Sequence, residues 1–287
     1  MAAYKGHRTN PDKFEKSQIK IILMVLPMVL LCGLPIVFII FHAFKPMEEL
    51  FAFPPKFITT HPTLDNFRKL IKASRSAGIP LSKYVFNSIF ITVVVVLGSL
   101  IFSTMAAYAL SKLKFKGRTT MMQINQIALM FVSCAVMIPR YLIVNKLGMI
   151  DTYWAIILPA FAAPIGLFLM KQFMEGLPTA LIEAAHLDGA GEFRIFWSIV
   201  MPNVKPAWLT IIIFSVQNLW NTNAATVIYT EKNKTLVYAL QQIQAGGIAR
   251  TGQAAAVTVI VMLVPILIFI LSQSRILETM ASSGLKD

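Results

Sequence analysis

Six separate stretches of this 287-residue chain are apolar for about the length that crosses a bilayer, which needs roughly 20 residues as a helix. They run over residues 19–44, 85–110, 119–139, 152–170, 207–230 and 252–274. None contains Asp or Glu, and only Lys20 and His42 in them could carry charge. Hydrocarbon offers no partner to a backbone N–H or C=O, so a spanning segment must pair its own, and runs of this length do so as helices. The rest of the composition agrees: 56% of residues are hydrophobic and only 14% charged, too few to coat a folded surface in water. A soluble enzyme, a disordered chain and a secreted disulfide scaffold are excluded. The expected fold is all-α, a polytopic membrane bundle of six transmembrane helices.

The third and fourth stretches are the most diluted, one by Gln123, Asn125 and Gln126, the other by Pro159 and Pro164. Such residues are tolerated where a helix faces protein or a water-filled path. The first stretch is too long for a signal core and lacks a small-residue cleavage site before Lys45-Pro46, so it is read as a retained span. Cys32 and Cys134 lie inside apolar runs and are read as packing residues.

The net charge of +13 suggests topology, with basic loops facing an anionic leaflet, and no nucleic-acid partner is expected. Lys5, Arg8, Lys13, Lys16 and Lys20 precede or open the first span, and Lys112, Lys114, Lys116 and Arg118 crowd the short connection after the second. That density places the N-terminus, and after six spans the C-terminus, in the cytoplasm. The expected organisation is a cytoplasmic segment over 1–18 and a permease domain over 19–287, with outer loops at about 45–84 and 231–251.

One connection differs in kind. Residues 171–205 are long, yet patterned as two short helices. Pro178 suits a first helical turn, Leu181, Ala184, Ala185 and Asp188 share helical spacing, and Gly189 supplies a stop. Phe193, Phe196, Trp197 and Val200 then form a stripe that is expected to end before Pro202. An amphipathic hairpin lying on lipid would have this pattern too. Glu183, Asp188 and Glu192 argue instead for a protein surface as partner, because an anionic leaflet would repel them.

Within that connection, Glu183-Ala184-Ala185, Gly189, Ile199 and Pro202 resemble the EAA signature of the membrane subunits of ABC importers. Glu183 to Ala190 resembles its carbohydrate branch, which includes the maltose-transporter permeases. Met201 departs from the leucine usual before the proline, an exchange of one apolar side chain for another. Asn87-Ser88, Ala106-Ala107-Tyr108-Ala109-Leu110, Lys116-Gly117-Arg118, the run from Gly148 to Trp154, Trp220-Asn221, Thr63-Leu64-Asp65-Asn66-Phe67 and Gly284-Leu285-Lys286 extend the likeness over about 45–287. The terminal Gly-Leu-Lys favours the six-span permease of such a pair. The resemblance implies the type I importer permease fold with cytoplasmic coupling helices at about 175–202, in the plasma (inner) membrane. It implies four kinds of companion: a second permease subunit, two ABC ATPase subunits, an extracytoplasmic solute-binding protein and the lipid itself. Glu183, Ala184, Ala185, Asp188, Gly189 and Pro202 would couple this chain to an ATPase.

No Gly-Lys dipeptide occurs, so the phosphate-cradling loop of an ATPase is missing, and ATP and Mg are expected on the partner subunits. The scattered histidines His7, His42, His61 and His186 do not suggest a metal site, and no bound cofactor or catalytic residue is expected. For a sugar route, Gln217, Asn218, Trp220 and Asn221, with Thr222 and Asn223, form the strongest polar cluster, followed by Gln123 and Asn125. The same amides serve equally as glue between helices. Gly246, Gly247 and Arg250 suit contact with a docked binding protein, as the resemblance implies, or an ordinary solvated turn. The function expected is a sugar, most readily an oligosaccharide, importer permease. A glycerol-phosphate derivative is the alternative solute, and a secondary transporter is disfavoured by the lack of a buried carboxylate.

Overall fold

The structure is a computed structural model that describes residues 18–54, 56–76, 78–222, 226–247 and 250–283. All of the expected segment 1–18 but Gln18 lies outside the described residues, as do Asn223 and Gly284-Leu285-Lys286. All regular structure among the described residues is helical.

The first two spans and the last fall where apolarity predicts them: α1 (Gln18–Phe44), then, after the short helices α2 (Met47–Leu50) and α3 (Asp65–Ser76), the 32-residue α4 (Leu81–Lys112), and at the end α13 (Thr251–Ser283). The third is broken. It comprises α5 (Arg118–Met130) and α6 (Ser133–Lys146), which meet at a sharp bend through extended Phe131 and Val132. No proline or glycine marks that break, and nothing in the local sequence explains it. The fourth comprises α7 (Trp154–Phe161) and α8 (Pro164–Glu175), interrupted at Ala162-Ala163 just ahead of Pro164. The structure then has α9 (Thr179–Leu187), α10 (Glu192–Asn203), α11 (Lys205–Trp220), α12 (Leu236–Ala245) and α13 (Thr251–Ser283). Among the described residues, four helical stretches, with α7 and α8 counted as one, are long and apolar enough to cross a membrane, or up to six if each of two bent pairs is one span.

The expected fifth span, 207–230, is shorter than apolarity suggests. Helix α11 stops at Trp220 because the residues beyond it bond back onto the helix: the Asn221 amide donates to the Gln217 carbonyl at 3.0 Å and the Thr222 hydroxyl to the Asn218 carbonyl at 2.7 Å. Side chains of this kind compete with the backbone for its own hydrogen bonds and so close a helix.

Helix α4 is the post around which the bundle is built, packing against α7, α8, α11 and α12. At Gly98 it meets α7 so closely that an added Cβ would lie 2.1 Å from the Phe161 ring. One buried cluster gathers α4, α8, α10 and α11 around Met170, Met174, Val200 and Ala207. A second joins α1, α4, α11, α12 and α13 around Ala43, Trp220, Leu236 and Val257.

The end of the bundle away from α9 and α10 is closed by side-chain amides and hydroxyls. The buried Asn87 amide donates to the Lys232 and Lys234 carbonyls at 2.8 and 2.9 Å, and its oxygen accepts from the Tyr153 hydroxyl at 2.9 Å. Ser88 Oγ accepts from the Leu236 amide at 2.8 Å. Asp151 accepts from the Tyr229 and Thr230 amides at 2.9 and 2.7 Å and from the Thr230 hydroxyl, bonds that hold its carboxyl below the usual carboxylate range. Near α2, the Thr60 hydroxyl, the Thr59 hydroxyl (2.8 Å) and the Thr60 and His61 amides (3.2 Å) all donate to Glu49, pulling its carboxyl from 4.5 to about 2.

Two outcomes are expected. Asn87→Leu strands two carbonyls and a hydroxyl, each at about 1–3 kcal/mol if left buried and unpaired. The thermal midpoint in detergent should fall by several degrees, and an unchanged midpoint would refute the latch. The Glu49 clamp, with its depressed pKa, contributes fully above pH 4.5 and less as pH falls toward 2. Hydrogen-exchange protection of the Thr60 and His61 amides, corrected for intrinsic rates, should hold from pH 7 to 5 and decline only below pH 4.5.

Candidate functional site: a helical hairpin on the end of the bundle

Helices α9 and α10 form a hairpin across one end of the bundle. Pro178 precedes α9, and its C-terminus is closed by two bonds: Gly189 N–H to His186 O at 3.0 Å and Ala190 N–H to Ala185 O at 2.9 Å. That is a Schellman closure, and it requires the left-handed φ of +78° that Gly189 adopts. The sequence reading of this stop is correct to the residue.

The second helix departs from expectation. It does not end before Pro202 but continues through it to Asn203, widening to a π-helix over Phe196–Val200. Proline has no N–H to give, and the widened turn instead pairs Met201 N–H with Phe196 O. The Asn203 amide caps the Ile199 carbonyl at 2.7 Å, and the Trp208 indole donates to the Met201 carbonyl at 3.2 Å. The widening also divides the expected stripe. Phe196 and Val200 turn inward with Ile195, whereas Phe193 is 71% and Trp197 45% exposed, stacked edge to face.

The hairpin is fastened to the bundle by named groups. The Tyr108 hydroxyl donates to Glu192 at 2.5 Å, and His186 Nε2 lies 3.3 Å from the other Glu192 oxygen. Glu192 therefore faces its own chain, and only Glu183 and Asp188 of the three expected carboxylates are free to face outward. Lys112 Nζ donates to the Leu177 carbonyl at 2.8 Å, and Glu175 pairs with Lys171 at 2.6 Å. Ala184 and Ala185 also separate: Ala184 is exposed, while Ala185 is buried against α8 and α10. Pro202 is exposed on the outer side of α10. The outward surface thus combines Glu183, Ala184 and Asp188 with Leu187, at 90% exposure, Phe193 and Trp197. Leu187 was not singled out by sequence, since nothing in its spacing distinguishes it from the inward positions.

The polar residues within the bundle do not gather as one cluster. Trp220 is buried and its indole donates to the Val261 carbonyl at 2.7 Å, a bond between α11 and α13. Asn125 is buried and donates to the Pro164 carbonyl at 3.2 Å, securing the broken end of α8 to α5. Both do the work of helix–helix glue. Gln217, Asn221 and Gln123 are exposed on the isolated chain. Asn218 alone of the six lines a cavity of about 360 Å³ beside the α7–α8 break, together with Ser215, Thr222 and Arg140. Arg140 was overlooked because the apolar run ends at Pro139, whereas α6 carries it inside the bent pair. Near the far end, Gly247 has φ +73° and accepts from the Arg250 amide at 3.0 Å, with the Arg250 side chain folded over Gly246. Among the described residues no group of three His, Cys, Asp or Glu side chains could hold a metal.

A Cβ at Gly189 would meet no atom within 4 Å, so a substitution there tests backbone strain alone. Forcing a branched side chain to positive φ costs about 1–2 kcal/mol. Gly189→Val should accelerate hydrogen exchange at residues 185–190 about tenfold without altering exchange in α4. Equal acceleration in both would show that the closure is not local.

Comparison with known proteins places this geometry. The family described as "Binding-protein-dependent transport system inner membrane component" matches residues 99–281, which include the whole hairpin. A polygalacturonan/rhamnogalacturonan transport system permease protein of Bacillus subtilis is 34% identical over 200 residues, covering 70% of this chain and 68% of that one. An arabinooligosaccharides transport system permease protein of Halalkalibacterium halodurans is 36% identical over 193 residues, covering 65% and 66%. Among solved structures, a chain of a bacterial ABC transporter involved in import of the acidic polysaccharide alginate superposes with a TM-score of 0.78. It is 23% identical and covers 92% of this chain and 99% of that one.

Proposed function

The chain belongs to the family of binding-protein-dependent transport system inner membrane components, and from that premise we propose that it is one of two permease subunits of an ATP-driven oligosaccharide importer. Members of the family are transport components of the membrane and not catalytic subunits. The sugar assignment is supported by the relatives, two of which are permeases named for plant-polymer saccharides. The observation that carries the division of labour is the hairpin. Its outward surface joins exposed Leu187, Phe193 and Trp197 to the carboxylates Glu183 and Asp188, while its inner surface is tied to α4 and α8 by Tyr108, Lys112 and buried Ala185. An apolar patch flanked by charge marks a protein contact. A lever of this construction transmits the motion of a docked subunit into the bundle.

In this reading the docked subunit is an ABC ATPase that holds the ATP and Mg, one against each permease of the pair. Glu183 and Asp188 meet basic groups on it, and the left-handed turn at Gly189 sets the angle between the helices. The hairpin and both termini then lie in the cytoplasm, and the loop carrying Gly246, Gly247 and Arg250 lies outside, where a solute-binding protein docks. Within the bundle, Asn218 and the cavity it lines belong to the sugar route. Gln217, Asn221 and Gln123 lie on faces open to a second permease.

The test uses the assembled importer in proteoliposomes. Glu183→Lys should lower binding-protein-stimulated ATP hydrolysis and sugar uptake at least tenfold while membrane insertion is retained, and the chain purified alone should hydrolyse no ATP. Normal uptake with the reversed charge would overturn the coupling assignment.

A further inference from the structure

One cation lines a cavity of this chain without a partner among the described residues and is exposed on the isolated chain. Arg140, on α6, makes no ion pair or hydrogen bond among the described residues. It lines the cavity of about 360 Å³ at the α7–α8 break, whose wall on α4 is Val95, halfway along that helix. It also lines an adjoining cavity of about 570 Å³ that reaches Tyr141 and Tyr229 toward the far end. Arg140, Ile156 and Thr222 are common to both linings, so these three residues stand where the two spaces meet. Neither lining contains Asp or Glu.

A charge at membrane depth is costly and persists where it serves a path or meets a counter-charge. A guanidinium presents a planar fork of donors that matches a carboxylate in two parallel bonds. Asn218 and Ser215, on neighbouring turns of α11, and Thr222 beyond its end add hydrogen-bonding groups of the kind that suit sugar hydroxyls. A single sugar ring bearing a carboxylate matches this set: one anion for Arg140 and hydroxyls for the rest.

We propose that the path is built for acidic oligosaccharides, with Arg140 receiving the carboxylate of a uronate ring at the junction of the two cavities. This rests on the sugar-permease reading and narrows it to a substrate class. Arg140 acts as a specificity residue: a neutral ring leaves the guanidinium without its anion, and the penalty for that appears as discrimination.

The experiment compares uptake of labelled 4-linked uronate di- and trisaccharides with that of their methyl esters, which replace each negative charge with one methyl group. It uses the complete importer with its own binding protein in proteoliposomes, wild type against Arg140→Gln and Arg140→Lys. The wild type should take up the acids, Arg140→Gln should lower the acid-to-ester uptake ratio about tenfold, and Arg140→Lys should restore part of it. A ratio unchanged in Arg140→Gln overturns the proposal. So does a wild type that carries only the esters, although the sugar-permease reading then stands. Uptake of neither class overturns this proposal, and the sugar-permease reading is then decided separately by uptake of a neutral oligosaccharide in the same vesicles. If Arg140→Gln instead releases the second permease during purification, Arg140 is half of an ion pair between subunits and the proposal fails.

Discussion

The interior of a bilayer cannot hydrogen-bond to a peptide, and every larger feature of this chain is a response to that. Helix α4 satisfies it with a continuous ladder, and α1 and α13 with ladders interrupted at Pro27 and Pro35 and at Pro265. The breaks at Phe131-Val132 and Ala162-Ala163 free backbone groups at membrane depth, and such breaks are tolerated where protein or a wet cavity replaces lipid. The Asn125 amide ties the start of α8 to α5 through the Pro164 carbonyl. The cavity beside the second break holds Arg140, Ser215, Asn218 and Thr222. Discontinuous helices and the polar space are therefore one feature seen twice: the space accommodates the break, and the break makes the space.

The same rule explains why the two ends are built differently. At the far end, loops are held by single amides and carboxylates that collect several backbone groups each, as Asn87, Asp151 and Glu49 do. At the hairpin end, apolar packing dominates, with Met170, Met174, Phe196 and Val200 buried beneath α9 and α10. Close packing over many contacts resists relative motion better than a few polar bonds do, as the proposed coupling role requires. The polar ties that remain, Tyr108 to Glu192 and Lys112 to Leu177, fix the angle of the hairpin.

Membership of the importer-permease family accounts for the motifs that lie far from the hairpin. Asn87-Ser88 and the run from Gly148 to Trp154 read in sequence only as resemblance. In three dimensions they converge on residues 227–236, where Asn87, Ser88, Asp151 and Tyr153 bond to that segment or to one another. Their spacing along the chain carried no sign of this, because the partners are contributed by elements about 60 to 150 residues apart, as the bonds themselves record.

What the chain settles alone is what depends on local chemistry. Apolar length gives the class of the spanning segments, and a proline–glycine frame with helical spacing gives α9 and its stop at Gly189, since a left-handed closure is a property of one residue. What only the folded structure decides is direction. Ala184 faces out and Ala185 in, Trp220 bonds to α13 while Asn218 faces the cavity, and Glu192 turns back to Tyr108. A side chain of either kind suits either position, and the choice is made by which neighbouring helix stands there. Arg140 is the clearest case: a charge just past an apolar run reads as a boundary, and only the fold shows that α6 sets it at the edge of two cavities.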